Sequence, residues 1–295
     1  MSSHTTSAGT RRGQQTLQGA AKVQLINRPI RGIGLRVELP NEACEGFLDG
    51  FRGTRYIVIN VNDARKVIDR DGDLTSVLDP YHIPVLIATE DDSITQNRSM
   101  DEVLRVYEAA QPAICIPDQS YAYSSDDEDL SRQKEDARIQ GIAQAYVDYV
   151  KVLYDKVQAR DYSIRLIPTQ KGWKMYHFEP YHELRENYGI TDYAFYCKQY
   201  VGGKAGNSLN MNIHHTKNFI GEVNPYNVML IARLSPNELP KFPPRATSAC
   251  GLNQWRKASD TENGYSQADC NQFIARAEPT ILHNADTIQQ SLGQC

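Results

Sequence analysis

The chain has 295 residues, 40% of them apolar and 23% charged, with a formal net charge of -4. That is a globular composition with enough apolar surface for a core, and it argues against a disordered or fibrous chain. No apolar run approaches about 18 residues, so no membrane span is expected, and the N-terminal Met1–Gly19, rich in Ser, Thr, Gly and Gln, reads as a disordered tail rather than a signal peptide.

The charge is unevenly spread. Residues 163–258 carry 12 Lys and Arg against 6 Asp and Glu, whereas residues 1–162 carry 19 against 25. Such a basic segment could face phosphates, or its charges could be scattered over many faces. The six cysteines (Cys44, Cys115, Cys197, Cys250, Cys270 and Cys295) form no CxxC pair, so neither a disulfide framework nor a zinc signature is expected. Three of them, Cys115, Cys197 and Cys250, lie in apolar runs where cysteine acts as a small hydrophobe, and the setting expected is reducing and cytoplasmic.

In chain order the candidate strands are 23–26, Tyr56–Asn60, Pro84–Ala88, Ala113–Ile116, Ile164–Ile167, Tyr193–Cys197, Val228–Ala232 and Ala246–Cys250. Most are continuously apolar, the pattern of strands buried on both faces in a parallel sheet. Ser99-Met100-Asp101-Glu102 is a capping box that opens a helix. A long helix is expected over about Asp129–Arg160, with Ile139, Ile142, Tyr146, Tyr149, Val150 and Leu153 on its apolar face. Shorter helices are expected at Pro180–Asn187, Leu209–Val223 and Ser235–Leu239, and a last one at Ser266–Leu292, interrupted at Pro279. Strand–helix alternation over more than 200 residues without a linker argues one α/β domain. About eight strands suit a (β/α)8 TIM-type barrel, although periodicity alone does not distinguish it from an open sheet. The expected division is a tail at 1–20, a barrel domain at 21–262 and a C-terminal helical extension at 263–295. No dinucleotide or phosphate-loop glycine motif is present.

Chemistry on such folds sits past the strand ends, where substrate meets the barrel. Thr89-Glu90-Asp91-Asp92-Ser93 places adjacent carboxylates that could hold a general base or simply form a solvated acidic loop. Asp118 closes an apolar strand and could accept hydrogen bonds from the amidine edge of a base, or cap the next helix. Gln170 could donate to a carbonyl, Lys171 adds a cation, Gly172 allows close backbone approach, and Trp173 offers a stacking face or plain packing. The stretch 198–207, with Gly202, Gly203 and Gly206 among two lysines, suits a loop approached by a phosphate or a sugar, or an ordinary flexible connection. His214 and His215 point about 100° apart on a helix and make a poor metal pair. Neither a metal nor a cofactor is expected.

In this order the motifs resemble the tRNA-guanine transglycosylase superfamily, including its relatives that insert deazaguanine bases into DNA. The resemblance spans roughly Arg55 to Ser259. Pro84–Ser93 is similar to the family strand that ends in a catalytic Asp, which implies that role for Asp91 or Asp92, although the turn glycines are missing. Asp118 matches the residue that holds the guanine edge. Ile167-Pro168-Thr169-Gln170-Lys171-Gly172 is similar to a Val-Gln-Gly motif whose Gln reads the base carbonyl, with one residue inserted. Val201-Gly202-Gly203 looks like the loop that closes over the base. The family's last-strand nucleophilic Asp has no counterpart: Thr247–Asn253 contains no carboxylate, and only Cys250 and Asn253 stand there. The family's zinc site is also absent.

The resemblance implies a (β/α)8 barrel that exchanges or recognises guanine or a 7-deazaguanine in DNA or tRNA. The partners implied are nucleic acid and a purine or 7-deazapurine base, with a homodimer as the expected assembly if the chain is not monomeric. Two alternatives stand beside this: a barrel that binds a nucleobase without catalysis, and an unrelated barrel enzyme for a small phosphorylated substrate bound by the Gly202–Gly206 loop.

Overall fold

The computed structural model describes residues 30–89, 98–119, 132–200 and 208–292. Eight parallel strands run in the order β5-β4-β3-β2-β1-β8-β7-β6. They are β1 (Gly32–Val37), β2 (Tyr56–Asn60), β3 (Ile83–Ile87), β4 (Ile114–Ile116), β5 (Arg165–Leu166), β6 (Asp192–Tyr196), β7 (Asn227–Ile231) and β8 (Ala246–Gly251). The ring closes just beyond β5, where Thr169 bridges in parallel to Ala194. There Ala194 N–H donates to Pro168 O at 2.8 Å and Gln170 N–H to Ala194 O at 3.1 Å. The fold is a TIM-type barrel.

The continuously apolar strands work as expected, because each is covered on both faces. Alternate residues divide between two packed clusters. Val58, Val85, Ile116, Ala194, Met229 and Cys250 belong to an inner set, while Leu35, Ile57, Leu86, Cys115, Phe195 and Leu230 belong to a larger outer one, against the helices. The interior is tight: a Cβ placed on Gly34 of β1 would lie 3.1 Å from Val58 Cγ2 and 3.5 Å from Cys250 Cβ.

Helices alternate with the strands: α1 (Glu42–Leu48), α2 (Val61–Asp71), α3 (Met100–Ala110), α4 (Arg132–Ala159), α5 (Tyr181–Tyr188), α6 (Leu209–Val223), α7 (Asn253–Ser259) and α8 (Gln267–Leu292). The capping box opens α3 as its sequence dictates, with Ser99 N–H on Glu102 Oε2 at 2.9 Å and Glu102 N–H on Ser99 Oγ at 3.2 Å. A short antiparallel pair, β9 (Asp260–Thr261) and β10 (Gly264–Tyr265), joins α7 to α8.

Three differences from the sequence expectations have physical causes. β1 went unread because Gly32 and Gly34 lower the strand signal of GIGLRV; residues 23–26 lie outside the described residues. Ser235–Leu239 is a turn followed by a 3-10 helix at Leu239–Lys241 instead of a helix, with both Glu238 and Leu239 N–H on Ser235 O. Helix α8 runs through Pro279 unbroken. Cys270, Phe273, Ile274, Ala277 and Ile281 bury its inner face in the outer core, so packing against the barrel outweighs the lost backbone bond. Among the described residues no helix is long and apolar enough to cross a membrane.

Candidate functional site

At the C-terminal end of the barrel, β4 runs out through Pro117 to Asp118, and β5 through Thr169 to Lys171. Strand pairing therefore brings together residues separated by half a hundred positions. Asp118 is 6% exposed, Lys171 3% and Gln170 fully buried. Lys171 Nζ bonds Asp118 Oδ1 and also lies over the Tyr146 ring, 5.1 Å from its centroid. A buried carboxylate is tolerable here because the ammonium compensates it.

Two tyrosine hydroxyls hold the Gln170–Lys171 segment in place. Tyr146 of α4 donates to Pro117 O at 2.8 Å and accepts from Thr169 N–H at 2.8 Å and Thr169 Oγ1 at 3.1 Å. Tyr181 of α5 donates to Thr169 O at 2.8 Å and accepts from Lys171 N–H at 2.7 Å. Burial, and then the Asp118 carboxylate, push the Tyr146 phenol well above its ordinary range. It is therefore a fixed neutral hydrogen-bonding group. Gln170 Oε1 accepts from Tyr196 N–H at 2.8 Å, which fixes the amide with its NH2 as the donor end.

Other polar groups share this rim. Thr89, 5% exposed, follows β3 on the face of Ile87, and its Oγ is buried without a hydrogen bond among the described residues. On the far side, Arg36 at the end of β1 donates to Asn60 Oδ1 at the end of β2, at 3.0 Å. Arg36 carries no signal in the sequence because its strand, Gly32–Val37, is obscured by two glycines. In the sequence Tyr146 reads only as part of a helix's apolar stripe, with no signal that its hydroxyl turns toward β4 and β5.

The remaining candidates fare differently. Asp91, Asp92, Gly202 and Gly203 lie outside the described residues. Trp173 is half-buried, edge-on to His177 at 5.5 Å between centroids, and its carbonyl accepts from Asn218 at 3.2 Å. Gly172 has φ +99, and a Cβ there would stand 2.6 Å from His177 Cβ, so its missing side chain makes room for a histidine of the fold. Asn253 opens α7 and is exposed. Cys250 is fully buried among inner-barrel side chains. Burial pushes its thiol up to about 12, against a smaller pull from Arg36. Such a thiol is inert, since the thiolate is the nucleophilic form.

No family model and no curated protein matches the chain. Among solved structures it is similar to one described as native KDPGal (11% identity over 88% of this chain and 98% of that one, TM-score 0.42). It is similar also to a protein from Aquifex aeolicus VF5 (9% identity, 89% and 98%, TM-score 0.45) and to fructose-bisphosphate aldolase from Campylobacter jejuni (8% identity, 95% and 93%, TM-score 0.39). Likenesses of this degree carry no functional argument.

Proposed function

We propose that the C-terminal mouth of the barrel recognises a guanine-type base, purine or 7-deazapurine, presented by DNA or tRNA, in the manner of a tRNA-guanine transglycosylase. The observation that supports it is the convergence of Asp118 and Gln170, two base-reading candidates, on neighbouring strand ends. The carboxylate can accept two N–H bonds from the amidine edge of guanine, and the Gln170 NH2 can donate to the exocyclic oxygen. Lys171 holds the Asp118 carboxyl in place through its bond to Oδ1. In a duplex the target base must leave the stack to reach such a pocket.

Base exchange further requires a carboxylate to attack the sugar carbon, and under this reading Asp91 or Asp92 supplies it. A second reading, base recognition without exchange, is favoured by Cys250: the last strand offers only a buried, protonated thiol where a nucleophile would be needed. Labelled guanine offered with tRNA and with DNA separates the two, since incorporation above background excludes the inactive form. Calorimetry with guanine on Asp118→Asn tests what they share. Removing the charge should weaken binding by about tenfold or more, because hydrogen bonds to an ionised acceptor are roughly twice as strong as neutral ones. Unchanged affinity would overturn the base pocket.

A further inference from the structure

Arg36 is a second cation at the same mouth. Its direction follows from strand alternation: Ile33, Leu35 and Val37 pack in the outer core, while a Cβ on Gly34 would meet Val58, Cys250 and Met229 of the inner one. Arg36 therefore faces the barrel axis, one step above Gly34 and Cys250, which are register partners. On β2, Val58 faces inward, and Asn60 shares that face two residues on. The two side chains meet there, with Arg36 Nη2 on Asn60 Oδ1 at 3.0 Å.

This guanidinium, at the barrel mouth, has no carboxylate partner among the described residues. The acids carried by the same two strand ends are engaged elsewhere: Glu38 pairs with Arg256 at 2.7 Å and Asp63 with Lys66 at 3.2 Å. The amide oxygen of Asn60 orients Arg36 without neutralising it. Asn60 is also the N-cap of α2, yet its side chain makes no capping bond. An arginine that is half-buried, pre-oriented by an amide and without a carboxylate partner among the described residues suits an oxyanion through its N–H edges.

We propose that Arg36 and Asn60 form a phosphate subsite at the β1–β2 side of the mouth, across from the Asp118–Gln170–Lys171 cluster. The ligand that spans both is a nucleotide, its base at β4–β5 and its phosphate at Arg36, with the Asn60 NH2 as an additional donor. The nucleotide identity rests on the base-pocket reading; the subsite itself does not. The phosphate belongs either to a free nucleotide or to a nucleic-acid backbone, which share this chemistry.

The test is calorimetry at low salt with guanosine, guanosine 5′-monophosphate and inorganic phosphate, on the wild-type chain, Arg36→Gln and Asp118→Asn. The monophosphate should bind the wild type about tenfold or more tighter than the nucleoside, as a charge-assisted pair allows. Arg36→Gln should erase that difference and leave guanosine binding unchanged, while Asp118→Asn should weaken both ligands alike. A role confined to packing would lower the melting temperature of Arg36→Gln without touching the nucleotide-to-nucleoside ratio. An equal affinity of the wild type for both ligands, or a monophosphate advantage that survives Arg36→Gln, overturns the subsite, as does a wild type that binds no phosphate species. Phosphate binding lost in Arg36→Gln, with no guanosine affinity in any variant, removes the base pocket and keeps the subsite. Single-stranded oligonucleotide in place of the nucleotide identifies the source. A backbone phosphate at Arg36 lowers the slope of log affinity against log salt by about one in Arg36→Gln.

Discussion

Lys171 and Asp118 depend on each other. Each is almost wholly enclosed, and the bond between them is what makes either charge tolerable. Lys171→Met strands the carboxylate, and losses of about 3–5 kcal/mol are typical when one member of a buried pair is removed. Pairing it with Asp118→Leu, which removes both charges and keeps apolar volume, should recover most of that loss in urea denaturation. A double variant as unstable as the single one would show that the pair serves packing rather than charge compensation. Cys250 makes the opposite case. As an inert buried thiol it should resist iodoacetamide in the folded protein, and Cys250→Ala should leave guanine binding and any base exchange intact. Exchange abolished in Cys250→Ala, with binding preserved, would restore the thiol as nucleophile. Residue identity alone pointed to Asp118 and Gln170, since a polar residue that ends an apolar strand stands out in sequence. Lys171 is legible there too as a cation, but its pairing with Asp118, and the roles of Tyr146 and Tyr196, arise only when strands and helices pack.

The elements that carry the site are held by groups whose spacing in sequence signals nothing. Tyr146 and Tyr181 each satisfy backbone groups beyond β5 that no strand partner reaches. Tyr146→Phe leaves Thr169 N–H and Pro117 O buried without that hydroxyl, which should cost about 1–3 kcal/mol in chemical denaturation. It should weaken guanine binding as well, through a segment no longer pinned, and a stability loss without any change in affinity would refute that link. Helix α6 brings a pH dependence of its own. Burial, reinforced by the charge of His214, lowers His215 to about 4 from 6.5, and its Nδ1 meets the Tyr200 hydroxyl at 2.8 Å. The unfolded chain then binds the proton more readily than the folded one, so the stability His215 contributes is full above pH 6.5 and is lost as pH falls toward 4. The melting temperature should drop across that window, and less steeply in His215→Gln; parallel curves would reject the assignment. Of the elements, α6 and the α3 capping box were legible because local chemistry decides them. β1 and the continuity of α8 through Pro279 were not, because tertiary burial overrides a weak or contrary local signal there.

Across the whole molecule the barrel carries an ion pair with a buried carboxylate at each end, and the two should behave differently. At the N-terminal end Arg165 of β5 pairs with Asp192 of β6. Asp192 Oδ1 also accepts from Asn227 of β7 at 2.7 Å, and Asn227 Oδ1 in turn accepts from Thr247 of β8 at 3.1 Å. This chain ties together the last four strands below the place where the ring closes. That closure is slight, resting on the Thr169–Ala194 bridge and its two backbone bonds, so the side chains beneath it carry much of the joining of β5 to β6. In barrels of this type the lower face serves stability and the upper face chemistry. Asp192→Ala should therefore lower stability by about 3–5 kcal/mol, the usual consequence of stranding a buried partner. A loss of 1 kcal/mol shifts the melting temperature of a domain of 150–250 residues by about 2–4 °C, so the shift should be large and plain in a thermal scan. Guanine affinity measured well below the transition should stay within twofold of wild type. Asp118→Asn strands the buried Lys171 ammonium and should lower stability too, but unlike Asp192→Ala it should also lose affinity for the base. A variant at Asp192 that remains folded yet loses the base would mean that the two ends of the barrel are coupled through its interior.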